Sequence, residues 1–279
     1  MKKIIFFITV LIFTSWGCDK DSVLDPIDPG HGVIQVPATA KTGDTAQTPG
    51  KTPTVPQASD TSIYVKGVVM FEFKDIDNNV YHAIQIGNQI WSKENLKTTH
   101  NNEGRPIPCV QSSSKWGTLY SGAYCHYNND PSNSYRNGLL YNYFAAASGK
   151  LAPNGWHVAT YEDWNRLMVE IGNKPLPWIG NVGPLVDQAD WKGPFYSILD
   201  HLVMCTNSTC FTALPNGYRD NFGKEDPVFE GLDGQASWWA INNLDSGVMI
   251  YFDQTFGIFT REDRKSYVGS GIRLVKDID

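Results

Sequence analysis

The sequence predicts an α+β domain in which two helices accompany an irregular antiparallel sheet and long loops. Apolar residues alternate with polar ones near the start of the domain, as in paired strands. One clear helical period follows at 160–172, and after residue 175 short apolar segments alternate with Gly, Asn and Asp. Helices in the first half and short strands in the second, joined by long loops, indicate the α+β class.

Residues 1–17, MKKIIFFITVLIFTSWG, have the composition of an export signal. Two lysines come first, and the uncharged stretch 4–17 is shorter than the roughly twenty residues that a membrane-spanning helix needs. Gly17 directly precedes Cys18, an order that resembles a bacterial lipoprotein signal. We therefore expect Cys18 to carry a lipid. The alternative is an ordinary secretory signal followed by an incidental cysteine.

Residues 18–62 are predicted to form a flexible tether between the lipid and the domain. The segment is rich in Pro, Thr, Gly, Asp and Ala and has no aromatic residue, so it cannot bury enough apolar surface to offset its ordering entropy. Residues 63–279 contain all but one of the nine tryptophans and are long enough for one sizeable core. Acyl chains on Cys18 would attach this domain to a membrane without spanning it.

Charge and motif content exclude several classes of function. The net charge of −6 implies no basic patch, so we expect no nucleic-acid partner. There is no Ser-His-Asp order, no H-E-x-x-H and no glycine-rich phosphate loop. We therefore expect no catalytic residue, no metal and no cofactor.

The domain opens with three predicted strands. Apolar residues alternate over 69–73, and the turn residues at 77–79 tolerate left-handed backbone. A return strand over 81–86 is followed by a hairpin turn at Gly87-Asn88 and a third strand over 89–91. The segment DIDNN begins like a calcium loop but lacks the Gly and Glu that such a loop requires at its sixth and twelfth positions.

The first predicted helix lies in the alanine-rich segment NGLLYNYFAAASGK. Leu140, Phe144 and Ala147 fall on one side of it, and Gly149 is its expected stop.

The second predicted helix has a clearer start and stop. Thr160 can cap it, with Asp163 three residues later, and Gly172 ends it. A core-facing apolar stripe is formed by Trp164, Leu167, Met168 and Ile171.

The four cysteines within the domain are predicted to form disulfides, since an even number in an exported chain favours them. We favour Cys109–Cys125 and Cys205–Cys210 because both close short local loops, and the first would hold the loop-rich segment 97–136. A four-thiolate zinc site is the alternative, although the first pair is spaced too widely for its usual motif. No cation lies between Cys205 and Cys210 to stabilise a catalytic thiolate.

Two groups of candidate ligand-binding residues lie in the second half of the chain. Tyr218, Arg219 and Asp220 could line a ligand face, although we favour a structural Arg–carboxylate pair that fixes the turn. Trp238 and Trp239 are adjacent in a predicted strand and therefore face opposite ways. One would lie in the core, and the other could be a platform on which a sugar ring stacks.

A third candidate group is Asn128, Asn129 and Asp130 in the segment YNND. These side chains are polar enough for a cation or a glycan, although a simple turn cluster is the favoured interpretation. His157 has a tryptophan beside it and no carboxylate close in sequence, so we interpret it as a packed histidine.

Seven segments in order resemble the Fibrobacter succinogenes major paralogous domain, found widely in exported proteins of Bacteroidota. They are DIDNNVYHAIQIGNQIWSKENL, YCHYNND, GLLYNYFAA, APNGWHVATYEDWNRL, FTALPNGYRD, SWWA and GIRLVKD. The resemblance runs from about Phe73 to Asp277; each motif alone is weak, but their order is specific. The family is a relative of the C-type-lectin-like fold, so the resemblance implies a looped sheet whose first and last strands pair.

The resemblance implies the fold of this family, but it does not imply the catalytic or calcium-binding chemistry of better-known relatives. Formylglycine-generating enzymes carry two cysteines at the spacing of Cys205 and Cys210, but theirs follow the region that corresponds to LPNGYRD, whereas these precede it. Calcium-dependent lectins use Glu-Pro-Asn or Gln-Pro-Asp with Trp-Asn-Asp, and these triplets are absent.

Together these features predict a cell-surface binding module, not an enzyme. We expect a lipoprotein of the outer membrane that faces the cell surface and presents a lectin-like domain to a glycan or protein ligand. A structural or adhesion subunit of a surface assembly is the alternative, and a polysaccharide-active enzyme is a distant one.

Overall fold

The computed structural model describes residues 62–65, 68–176, 180–196, 202–220, 228–242, 247–254, 257–263 and 267–278. The predicted signal 1–17, the lipid site Cys18 and the tether up to residue 61 lie outside the described residues.

The described residues form sixteen strands and four α-helices. The strands are β1 Ser62–Val65, β2 Val68–Lys74, β3 Val80–Ile86, β4 Gln89–Ser92, β5 Tyr124–Cys125, β6 Leu140–Asn142, β7 His157–Val158, β8 Phe195–Tyr196, β9 Leu202–Val203, β10 Asn216–Asp220, β11 Val228–Leu232, β12 Gln235–Ala240, β13 Gly247–Asp253, β14 Gly257–Asp263, β15 Gly269–Ser270 and β16 Leu274–Asp277. The helices are α1 Ser113–Trp116, α2 Ser132–Asn137, α3 Tyr143–Ala146 and α4 Tyr161–Glu170.

The strands form two large sheets and one small one. A six-stranded sheet has the order β1-β2-β3-β4-β16-β7, and β8 pairs with β9. The eight-stranded sheet has the order β14-β13-β12-β10-β15-β6-β5, and β11 pairs with β10 beside this path. Of these neighbours, only β10 and β12 are parallel, so the α+β class is confirmed. The expected pairing of the first strand with the last is wrong, because β1 pairs with β2 and β16 lies between β4 and β7.

The opening strands have the predicted pattern. The Gly87-Asn88 turn connects β3 to β4, with Ile86 opposite Gln89. Before β3, the Asp75 carboxylate accepts hydrogen bonds from the backbone N–H groups of Asp77 and Asn79, both at 2.9 Å. The carboxylate of Asp75 therefore builds the turn, as the turn interpretation of DIDNN expects.

Helix α4 begins with the predicted cap. The Thr160 side chain accepts from the Asp163 N–H, and the Asp163 carboxylate accepts from the Thr160 N–H, which makes a complete capping box. The apolar stripe faces inward: Trp164, Leu167 and Met168 are buried.

The alanine-rich helix is much shorter than predicted. Leu140 lies in strand β6, opposite Cys125, and α3 covers only Tyr143–Ala146. Asn142 causes the change of conformation: its side-chain oxygen accepts from the N–H groups of Ala145 and Ala123, both at 3.0 Å. An N-cap at this position ends the strand and begins the helix.

The buried apolar residues form two large clusters and a smaller one. Helix α4 packs into the first, where Trp164 meets Trp91 and Trp238 with ring centroids 5.0 and 5.5 Å away. Trp239 belongs to the second. The third lies beneath the loop-rich segment and includes Trp116, Cys125, Tyr127 and Leu140.

Candidate functional site

The adjacent tryptophans face opposite ways as predicted, but neither is a surface platform. Both are fully buried. The Trp238 indole donates to Asn95 Oδ1 at 2.8 Å, and the Trp239 indole donates to the Tyr141 carbonyl at 2.7 Å. Strand β12 lies between β10 and β13 and is packed on both faces, which excludes either ring from contact with a sugar in solution.

Arg219 holds a loop from inside the domain. It is fully buried, and its two terminal nitrogens donate to the carbonyls of Val110 at 2.9 Å and Gln111 at 2.8 Å. Its guanidinium carbon lies 4.7 Å from the Trp116 ring centroid and 5.0 Å from that of Phe229. We use the term arginine bridge for a buried arginine that donates to loop carbonyls in this way. Arg219 therefore does not form the predicted structural pair with a carboxylate. The prediction that it could line a ligand face is also wrong, because the side chain is fully buried.

Neither neighbour of Arg219 lines an exposed face. Tyr218 and Asp220 are buried in strand β10. The Tyr218 hydroxyl donates to a carboxylate oxygen of Glu230 at 3.2 Å. All three candidates in β10 are therefore structural, because this strand is paired on both edges.

Arg273 makes a second arginine bridge. Its terminal nitrogens donate to the carbonyls of Ser92 at 2.7 Å and Thr212 at 3.0 Å, and also to the Lys93 carbonyl. The guanidinium carbon lies 4.5 Å from the Phe211 ring centroid. Burial lowers the pKa of this guanidinium to about 9. The bridge joins the end of β4 to the loop that follows Cys210.

The predicted disulfides are wrong. Cys109, Cys125 and Cys205 are free thiols. Cys109 and Tyr124 are paired through their backbones in an isolated β-bridge, so their side chains lie on the same face. Cys125 follows Tyr124 directly and therefore points to the opposite face. The thiol of Cys109 is exposed and that of Cys125 is buried, and no bond joins them. Since Cys205 is free, its predicted bond to Cys210 is not formed either.

The free thiols are not activated for nucleophilic chemistry. Burial raises the pKa of Cys125 to about 12. Burial, together with the nearby Asp187 carboxylate, raises the pKa of Cys205 to about 11. Burial also raises the pKa of Cys109. Thiols shifted in this direction stay protonated at neutral pH.

The third candidate group lies on the surface, in a turn. Asn128 and Asn129 have left-handed φ of 52° and 56°, and the Asp130 carboxylate accepts from the Ser132 N–H at 2.9 Å. Asn128 and Asp130 are exposed. The turn interpretation is confirmed.

Tyr135 is an exposed aromatic residue that the sequence analysis missed. Its side chain is 85% exposed in helix α2, which follows the turn directly. The Lys97 ammonium donates to the Tyr135 carbonyl at 3.3 Å and lies 5.8 Å from its ring centroid. The signal available in the sequence was an aromatic residue in a polar segment, SNSYRN, with no apolar periodicity that would bury it. We call Asn128, Asn129, Asp130 and Tyr135 the turn surface.

A groove of about 440 Å³ lies between the Gly87-Asn88 turn and helix α4. Its lining combines apolar and polar side chains. Those used below are Ile86, Gln89, Glu162, Arg166, Val169, Glu170 and Pro175.

A buried carboxylate organises one wall of this groove. Asp163 accepts from Gln89 Nε2 at 2.8 Å and from Arg166 Nη2 at 2.6 Å, and its other oxygen lies 2.9 Å from His157 Nε2. Arg166 also pairs with Asp277 at 3.1 Å. His157 therefore has a carboxylate partner that its neighbours in sequence do not reveal, and the packed-histidine interpretation is incomplete.

These contacts shift the titration of both partners. Burial alone would raise the pKa of Asp163, but hydrogen bonds from His157 and Thr160 outweigh it and lower the pKa to about 2. The hydrogen bond to Asp163 raises the pKa of His157 against the opposing effect of burial. Both shifts favour the charged pair.

Two further findings concern the described part of the chain. There, no three His, Cys, Asp or Glu side chains are grouped so that they could hold a metal ion. No described helix has the length and apolar character needed to cross a membrane.

Comparison with known proteins identifies the family. The family model described as the Fibrobacter succinogenes major domain matches residues 84–276, which is more than half of the chain. No curated protein and no solved structure matches it. The matched region includes both arginine bridges, the turn surface and helix α4. The chain therefore belongs to the Fibrobacter succinogenes major domain family.

Proposed function

We propose that this protein is a lipid-anchored binding module, without catalytic activity, that presents a C-type-lectin-like domain to glycans at the bacterial cell surface. The observation that carries the proposal is the turn surface, where the Tyr135 ring, 85% exposed, follows the exposed side chains of Asn128 and Asp130. An exposed aromatic ring in the same short segment as exposed amide and carboxylate groups is a chemistry suited to sugar rings.

The arginine bridge of Arg219 supports this assignment of the site. Asn129 Nδ2 donates to the Gln111 carbonyl at 3.4 Å, and Arg219 donates to the same carbonyl. The Tyr127 ring packs on Phe229 at 5.3 Å, and Phe229 in turn contacts the Arg219 guanidinium. A binding turn gains from such support because less conformational entropy is lost when the ligand binds.

The anchoring part of the proposal rests on the sequence. The order Gly17-Cys18 after a short apolar stretch supports a lipid on Cys18, in an outer-membrane lipoprotein of Bacteroidota type. The domain would then face the outside of the cell on the tether 18–62, and the membrane would be contacted only through the lipid.

A glycan array of the purified full-length chain, with and without calcium, tests the binding function. We expect saturable glycan binding that Tyr135→Ala reduces at least about tenfold, as expected when a stacking contact of about 1.4 kcal/mol is lost. The matched control is Tyr120→Ala, since Tyr120 is 86% exposed but lies in another loop, beside Phe144. Equal loss of binding in both variants, or no glycan binding, would contradict the proposal.

One observation favours the structural or adhesion role instead. Tyr196 and Leu202 are partners across the β8–β9 pair, and Met204 follows just after β9; all three side chains are exposed. Exposed apolar groups side by side suit protein–protein contact. Co-purification of surface proteins that Leu202→Ser together with Met204→Ser abolishes, with no glycan bound, would favour this second function.

A further inference from the structure

The groove beside helix α4 contains a hydrogen-bond acceptor without a protein partner. Gln89 lines the groove and is only 2% exposed. Its amide nitrogen donates to Asp163, whereas no described residue donates to its amide oxygen. The residue is nearly buried, but this oxygen is not among the fully buried atoms without a partner, so water or a ligand in the groove can reach it. The groove therefore offers an oxygen to a donor group.

Two carboxylates flank the same groove without a cationic partner in the described structure. Glu162 and Glu170 are exposed on α4, and neither forms an ion pair with a described residue. Glu170 reaches the hairpin turn: a methyl group built on Gly87 would lie 2.7 Å from its Oε2. The carboxylate thus lies at the edge of the groove formed by the turn.

The arginine between these carboxylates does not neutralise them. Arg166 directs one terminal nitrogen to Asp163 at 2.6 Å and the other to Asp277 at 3.1 Å. Its positive charge is therefore shared by two other carboxylates, and it forms no ion pair with Glu162 or Glu170.

Part of the groove lining is apolar. The side chains of Ile86, Val169 and Pro175 line it, and Val169 is exposed. Such a surface can contact the methylene groups of a ligand whose charged end reaches the carboxylates.

From these contacts we propose that the groove binds a primary ammonium group on an aliphatic stem, the chemistry of a lysine side chain presented by a protein partner. An ammonium has three donor hydrogens and no acceptor. The groove offers three acceptors without described donors, namely Gln89 Oε1 and the carboxylates of Glu162 and Glu170. The methylene stem packs on Val169 and Pro175. This site is separate in its residues from the turn surface, so either proposal can fail without the other.

Titration of the purified full-length chain with Nα-acetyl-lysine methylamide, followed by NMR shifts, tests the site. We expect binding with Kd of about 1 mM, and at least about tenfold weaker binding of the Nε-acetylated analogue, which lacks the charge. Equal binding of the two probes, or no saturation by about 50 mM, would overturn the proposal. Glucosamine binding as tightly as the lysine probe would overturn the role of the aliphatic stem.

Variants identify the groove as the place of binding. Glu170→Gln and Glu162→Gln should each weaken binding of the lysine probe about three- to tenfold, because a charge-assisted hydrogen bond is lost. Glu103→Gln is the matched control, since Glu103 is an exposed carboxylate that pairs with Lys150 elsewhere. Both groove residues are exposed, so unfolding is not expected, and unchanged melting curves verify this. Unchanged affinity in both groove variants, or an equal loss in the control, would overturn the assignment.

Discussion

The guanidinium carbon of Arg219 lies 4.7 Å from the centre of the Trp116 ring, although the two residues are about a hundred positions apart in the chain. Trp116 ends a four-residue helix within the loop-rich segment, and Arg219 lies in the middle of the large sheet. The contact stabilises a region in which regular structure is sparse. It replaces the cross-link that cysteine spacing suggested for the same segment.

Arg219→Lys should destabilise the domain by about 2–4 kcal/mol, because one ammonium cannot reproduce two parallel hydrogen bonds and a stacked plane in a buried site. Urea unfolding followed by tryptophan fluorescence measures the change. Arg136→Lys is the control, since Arg136 forms an exposed ion pair with Asp190, and its effect should stay below about 1 kcal/mol. Similar losses in the two variants would argue against the arginine bridge.

Thiol labelling should distinguish the two cysteines of the loop-rich segment. In the folded protein a maleimide should react with exposed Cys109 and leave buried Cys125 untouched until the domain unfolds. Mass spectrometry of the labelled peptides gives both yields. Recovery of a peptide with Cys109 bonded to Cys125 under non-reducing conditions would refute the free-thiol arrangement.

Trp239→Ala should act on stability rather than on ligand binding alone. The ring is fully buried in the second core cluster and donates to the Tyr141 carbonyl, so its removal should cost about 3–5 kcal/mol. Tyr120→Ala should change the free energy of unfolding by less than about 0.5 kcal/mol. Thermal unfolding of the two variants provides the comparison, and a stable, cooperative Trp239 variant would contradict this burial.

The His157–Asp163 pair predicts a pH-dependent stability. The raised pKa of His157 means that its stabilising effect is complete below the unfolded value of 6.5 and is lost as pH rises through the folded value. Because the pKa of Asp163 is lowered, its contribution to stability is present above the unfolded pKa of 3.8 and is lost as the pH falls towards the folded pKa of about 2.

The comparison of wild type with His157→Gln should isolate the histidine. Their difference in unfolding free energy should be about 1 kcal/mol or less near pH 5.5, because the ring is partly exposed, and should shrink above pH 7. His82, whose pKa is raised by its hydrogen bond to Glu94, titrates in both proteins and cancels in the difference. A difference in unfolding free energy that grows as the pH rises would contradict the raised pKa of His157.

Local features of the fold could be predicted from the sequence, whereas contacts between residues far apart in the chain could not. Helix α4 was predictable because Thr160 and Asp163 are three residues apart and their reciprocal hydrogen bonds depend on nothing else. The opposite orientation of Trp238 and Trp239 follows from strand geometry alone. Whether either ring is exposed depends on both large core clusters, which bring together strands from distant parts of the chain.

The candidate site shows the same division. Cysteine spacing suggested a loop closure, but Cys109 and Cys125 are free thiols, and Cys109 forms its isolated β-bridge with Tyr124 instead. Gln89 and Asp163 are 74 residues apart, so no local pattern indicates the polar wall of the groove. Exposed Tyr135 lacks the periodicity that marks a buried aromatic residue, which is a weak but available signal.

Both arginine bridges hold their loops through main-chain oxygens. Every amino acid carries such an oxygen, so the hydrogen bonds of the two guanidinium groups do not depend on the side-chain chemistry of Val110, Gln111 or Thr212. Substitutions in these loops would therefore leave the acceptors of both arginine bridges in place. In such a scaffold the chemistry of the loop surface can change while the hydrogen bonds that support the loops stay the same.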